Sequence, residues 1–107
     1  MEFEWDVAKE KANRQKHGIS FGEACHVFAD KYMLTLHDES HSNTEERWIT
    51  MGHSNKGRLL VVIHTYRERS GEEAVRIISA RKANKLETSQ YLDRMTGRTK
   101  INYEKEL

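Results

Sequence analysis

The nine residues RIISARKAN, Arg76–Asn84, hold the transition on which the fold reading turns. RIISA closes an apolar, β-branched run suited to a strand, and a helical segment follows from about Arg81 to Met95, where Gly97 can stop it. On this reading Arg81 and Lys82 fall in the first turn of a helix. Unpaired N–H groups and about half a positive charge sit there and repel each cation by a few tenths of a kcal/mol. Local conflicts of this kind collect where function requires them. An anion bound at the junction would offset the conflict, and a nucleic-acid phosphate is the anion expected.

Working outward, three earlier segments share the strand-like composition of AVRIISA (74–80): YMLTL (32–36), ERWITM (46–51) and RLLVVIHTY (58–66). The links DESHSNTE, GHSNKG and RERSGEE are short and rich in turn residues, which favours an antiparallel meander. Five consecutive apolar residues, Leu59 to Ile63, mark the strand covered on both faces. Ahead of the strands, Asp6 is placed to N-cap a helix from about Val7 to His17, with Gly18 ending it. Ser20-Phe21-Gly22-Glu23 reads as a capping box for a second helix, and Phe21, Ala24, Cys25 and Phe28 form its apolar stripe. The fold expected is α+β: two N-terminal helices, a four-stranded antiparallel sheet and a C-terminal helix. Residues 1–107 are read as a single domain, with 96–107 as a flexible tail.

Eighteen Lys and Arg against seventeen Asp and Glu leave a net charge of +1, but the charges are unevenly placed. Residues 67–107 carry ten cations and seven acids, and from Ala74 to Leu86 there are four cations and no acid. Such a strip suits a polyanion if the fold gathers it on one face. No apolar run reaches about 18 residues and no leader pattern appears, so a cytoplasmic, soluble protein away from membranes is expected. The lone Cys25 falls on the apolar stripe and reads as a small buried hydrophobe. Of six histidines only His37 and His41 lie close together, beside Asp38 and Glu39, and these read as a polar loop, so no metal and no cofactor is expected.

What remains is a phosphate site with groups able to move protons. RNA is cut without a metal when its 2′-hydroxyl is deprotonated, the leaving oxygen is protonated and the crowded phosphate is neutralised. Arginine suits the last task. Arg76, Arg81 and Arg47 are the candidates for it, with Glu87 or His17 for proton transfer and Lys82 and Lys85 as flanking RNA contacts. Each has a plainer role open to it: Arg76 as a packed stem, His17 as a helix cap, Lys82 and Lys85 as solvated charge, Glu87 and Tyr91 as a cap on the sheet.

FEWDVAKEKANRQKHGISFGEACHVFAD (3–30), EERWITMG (45–52), GRLLVVIHTYRE (57–68) and RIISARKANKLETSQY (76–91) together resemble the BrnT family of bacterial type II toxins. The resemblance implies a compact RelE-like architecture, metal-independent endoribonuclease activity that arrests growth, and neutralisation by a BrnA-like antitoxin. That antitoxin would bind operator DNA on behalf of the pair. Positions matching the family's motifs are Lys9, Asn13, Lys16, His17, Arg47, Arg76, Arg81, Lys82, Glu87 and Tyr91, and the resemblance implies RNA contacts for Lys9, Lys16 and Tyr91 among them. Asn84 stands where the family often has Thr, and RERSGEE is longer than usual. The competing expectation is a non-catalytic module that grips an antitoxin or nucleic acid as a co-repressor.

Overall fold

The computed structural model describes residues 1–41 and 43–97; the tail expected beyond Gly97 lies outside them. Strands β1 (Glu2–Trp5), β2 (Leu34–His37), β3 (Trp48–His53), β4 (Leu59–Arg69) and β5 (Glu72–Lys82) form one sheet in the order β1-β5-β4-β3-β2. Helix α1 (Val7–His17) follows β1, a short α2 (Phe21–Ala24) runs into a 3-10 helix at Cys25–Ala29, and α3 (Lys85–Thr96) closes the described chain. Among the described residues no helix is long and apolar enough to cross a membrane.

The expected RelE-like domain with a four-stranded antiparallel sheet is corrected in three respects. First, the described residues form five strands and the sheet is mixed, because β1 pairs in parallel with β5 from Glu2↔Ala74 to Trp5↔Ile77. Glu-Phe-Glu-Trp is a period-2 alternation short enough to be overlooked, and it places Phe3 and Trp5 on the core side. Second, the capping box at Ser20 is half made. Ser20 Oγ accepts from the Glu23 N–H, but the Glu23 carboxylate turns instead to Arg58 and Ser54, and the α-helix tightens into 3-10 after one turn. The predicted stripe nevertheless faces the core: Phe21 and Ala24 are fully buried, with Cys25 and Phe28 packed against them.

The third correction concerns the junction itself. β5 runs through Lys82, and the Ala83 N–H still bonds to the Leu59 carbonyl, so Arg81 and Lys82 are strand residues. α3 begins at Lys85 behind Asn84, whose side chain accepts from the Glu87 N–H while Glu87 accepts from the Asn84 N–H. The helix thus starts with an acid at its N-terminal turn, and the electrostatic conflict that pointed to an anion does not exist. Asn-Lys-Leu-Glu carried that capping signal in the sequence.

Two local devices set the sheet. Ser70 (φ 52°) and Gly71 (φ 81°) make a tight turn with both central residues left-handed, which matches the twist of the β4–β5 hairpin. Past Trp5, β5 loses its parallel neighbour, and Asn13 of α1 takes over: its amide donates to the Ala80 and Ile19 carbonyls (2.8 and 2.9 Å) and accepts from the Ala80 N–H (3.1 Å). One buried side chain therefore substitutes for a missing strand and satisfies backbone groups that would otherwise be orphaned.

The sheet has two unlike faces. On one, Leu60, Val62, Val75, Ile77 and Ala80 pack with Ile19, Phe21, Ala24 and Val27 into a continuous apolar core. On the other, Met51 and Val61 receive Tyr91 of α3, with Leu34, Ile49, Leu59, Ile63 and Ala83 around them. The unbroken apolar run of β4 serves both faces, as expected of a doubly covered strand.

Candidate functional site

Helix α3 lays one side on the second face, and Glu87 and Tyr91, four residues apart, are neighbours on that side. Each holds a side chain of the sheet. Glu87 takes the guanidinium of Arg81 in a two-point fork, Nη1 to Oε1 and Nη2 to Oε2, both 2.8 Å. Arg81 stands directly opposite Val61 on β4, which places it on the α3 face. The hydrogen bond from Arg81, with one from the Asn84 N–H, holds the Glu87 carboxyl below the usual carboxylate range against the effect of burial. An ionised carboxylate so occupied is a weak proton acceptor and a good orienter of the arginine.

One helical turn further on, Tyr91 is buried, and its hydroxyl donates to Asp30 Oδ2 at 2.5 Å and lies 3.1 Å from His53 Nδ1. Asp30 also accepts from the His53 N–H (2.7 Å) and the Tyr32 N–H (2.9 Å). Burial works to raise the Asp30 carboxyl, but these bonds outweigh it and hold it below its ordinary range. Burial, reinforced by the Asp30 carboxylate, pushes the Tyr91 hydroxyl well up, so it stays protonated. Gly52 lets Asp30 come this close to β3: a Cβ there would meet the Val27 carbonyl oxygen at 3.0 Å and Asp30 Cβ at 3.3 Å. The His53 ring packs edge-on against Tyr91, and its side chain is 44% exposed.

The other candidates from the sequence are distributed as follows. Arg76 stands opposite Thr65 and 3.5 Å from Glu4, which also meets Arg69 (3.4 Å). Residues 76 and 81 would fall on opposite faces of a regular strand, but a register irregularity at Ile63/His64 leaves Ile78 without a partner and returns both arginines to the α3 face. Four ladder steps separate them, ~13 Å. Arg47 immediately precedes β3, where the register brings it level with Thr65 and Arg76. His17 ends α1 next to Gly18, on the side of β5 that packs with Ile19 and Phe21. Lys85 is exposed at the start of α3 next to the Arg81 fork, Lys82 is exposed opposite Leu60 on the other face, and Lys9 and Lys16 are exposed on α1. Tyr91, expected as an RNA contact, has its ring in the core.

Thus Arg81, Glu87 and Lys85 come together at the β5–α3 junction, Lys82 stands opposite Leu60 on the other face, Arg76 and Arg47 share the α3 face at its far end, and His17 stands apart. His53 and Asp30 were missed. The two are 23 residues apart in sequence and no spacing links them, so only the meeting of β3 with the end of the 3-10 helix reveals the pair. A groove of about 590 Å³ between β2 and α3, lined by Tyr32, Leu34, Leu36 and Arg94 among others, contains none of these candidates. Among the described residues no three His, Cys, Asp or Glu side chains gather as a possible metal site. His41 pairs with Asp38 (3.0 Å) and His37 stacks on Trp48. Burial pushes the Cys25 thiol up to about 11, in keeping with its place at the core.

Comparison with known proteins gives this geometry its context. A sequence profile for the ribonuclease toxin BrnT of type II toxin–antitoxin systems matches residues 5–87. The crystal structure of the Brucella abortus ribonuclease toxin BrnT is similar over 79% of this chain and 99% of that one, with a TM-score of 0.57 and 23% sequence identity. No curated protein sequence matches.

Proposed function

This chain belongs to the BrnT family of ribonuclease toxins of type II toxin–antitoxin systems, and from that premise we propose that it cuts RNA by attack of the 2′-hydroxyl on the adjacent phosphate, without a metal. The observation that supports this most is the Arg81–Glu87 fork. It presents a permanently charged, oriented guanidinium at the surface, with Lys85 exposed beside it. Arg81 contacts the scissile phosphate and neutralises charge as it builds up, a role in which one lost donor typically removes ~10²–10³-fold in rate. Glu87 positions it. Arg76, held by Glu4 ~13 Å along the ladder, and Arg47 level with it meet flanking phosphates.

A type II toxin has an antitoxin partner. We assign that partner as a BrnA-like protein, acting in the cytoplasm, that silences the toxin by covering the Arg81 region and carries the pair to operator DNA. The test is to incubate purified wild type and Arg81→Ala with single-stranded RNA in excess chelator and to analyse the ends formed. Wild type should leave 2′,3′-cyclic phosphate, and the variant should be slower by ~10²-fold or more. Cleavage only after a divalent cation is restored, or a variant as fast as wild type, would overturn the assignment.

A further inference from the structure

We infer that His53 is the proton-transfer group of the RNA-cleaving site, with Tyr91 and Asp30 as its positioning residues; this rests on the ribonuclease reading above. Hydrogen-bond donors and acceptors along the chain Asp30–Tyr91–His53 fix the tautomer of the imidazole. Asp30 is ionised and can only accept, and Tyr91 keeps its proton and directs it to Asp30 Oδ2. The Tyr91 oxygen then faces His53 with lone pairs alone, so the neutral imidazole must carry its hydrogen on Nδ1 and donate it to Tyr91. Nε2 is left as an unprotonated lone pair. The ring is held by this bond, by the edge-on packing against Tyr91 and by the anchoring of its own N–H to Asp30. A histidine with one nitrogen committed to a buried hydroxyl–carboxylate pair and the other free to act is the arrangement a general base requires.

Its place in the fold suits the task. His53 stands opposite Leu59 at the hairpin end of the α3 face, and Ala83, two residues beyond Arg81, bonds to Leu59. α3 therefore fixes an imidazole through Tyr91 and a guanidinium through Glu87, one turn apart. With Arg81 on a phosphate, His53 Nε2 removes the 2′-hydroxyl proton. The O2′–P bond forms as the P–O5′ bond breaks, and the departing 5′-oxygen takes a proton from water. The products are a 2′,3′-cyclic phosphate and a 5′-hydroxyl. The carboxylate of Glu87, occupied by Arg81 and the Asn84 N–H, has no comparable free site.

The decisive measurement is single-turnover and steady-state cleavage of one short RNA by wild type, His53→Ala and His53→Gln, with thermal melting in parallel. His53→Gln keeps a side-chain donor for Tyr91, which guards against loss of the fold. Both variants should lose kcat by ~10²-fold or more with KM changed by less than about twofold, and free imidazole should restore part of the rate to His53→Ala. Tyr91→Phe should lower kcat in the same sense without abolishing it. Wild-type cleavage matched by a fully active His53→Ala would overturn this inference alone. A wild type that cuts no RNA would overturn the ribonuclease reading and this inference with it.

Discussion

The two faces of the sheet are built to different ends. One is sealed by Phe21, Ile19, Val27, Leu60 and Ile77 into an apolar layer, with His64 as a buried polar group bonded through Nε2 to Thr50 (2.7 Å). The other seats one fully buried aromatic ring, Tyr91, and surrounds it with ionised and hydrogen-bonded groups: Asp30, His53, Arg81 and Glu87. Apolar burial is non-directional and stabilises in proportion to area, whereas a chain of hydrogen bonds fixes tautomer and orientation. The difference teaches that apolar burial and oriented polar groups are concentrated on opposite sides of β4 and β5, so that, on the proposed function, a substitution can remove stability or activity and spare the other.

That separation can be broken first on the apolar side. Phe21→Ala should remove ~3–5 kcal/mol, enough to unfold much of a small domain, and urea denaturation should show it. Acid is the next lever. Burial depresses His64 to about 4, so between pH 6.5 and 4 the unfolded chain binds a proton that the folded chain refuses. Stability is therefore full above 6.5 and falls as the pH drops through this window, by up to ~3 kcal/mol from His64 alone. The depressed carboxyls of Glu23, Asp30 and Glu87 act in the same direction further down, their stabilisation being present above the ordinary carboxylate range and lost below it. Urea titrations at stepped pH check the sign, and a stability that rises from pH 6.5 to 5 would contradict it. The smallest effect sharpens the contrast most. Glu87→Gln keeps the cap on Asn84 and breaks only a partly exposed ion pair, so it should shift stability by less than ~1 kcal/mol. The same variant frees the Arg81 fork, and growth arrest on induction without antitoxin should weaken visibly while the melting temperature scarcely moves.

Residues whose role depends on near neighbours were legible in the sequence. Asp6 caps α1 as expected, Gly18 and Gly97 end helices with left-handed backbone, and the stripe from Phe21 to Phe28 packs inward. The four strands of the meander fall where their composition placed them, within a few residues. The start of α3 was also written locally, in Asn84 and Glu87, but the cationic pattern around Arg81 drew the boundary three or four residues too early. β1 was missed because its four alternating residues find their partner at Ala74–Ile77, some seventy positions away.

Sequence alone determined what each segment could become, because capping, turn chemistry and hydrophobic period act over one to four residues. It also carried the family, through motifs spread along the chain. Only the tertiary structure decided which distant groups meet: Asn13 with the open edge of β5, Arg76 with Arg81 on one face through the irregularity at Ile78, and Asp30 with Tyr91 and His53. Those meetings depend on strand order, register and the seat of α3, which are settled by burying both faces of the sheet at once, and no local pattern encodes that sum.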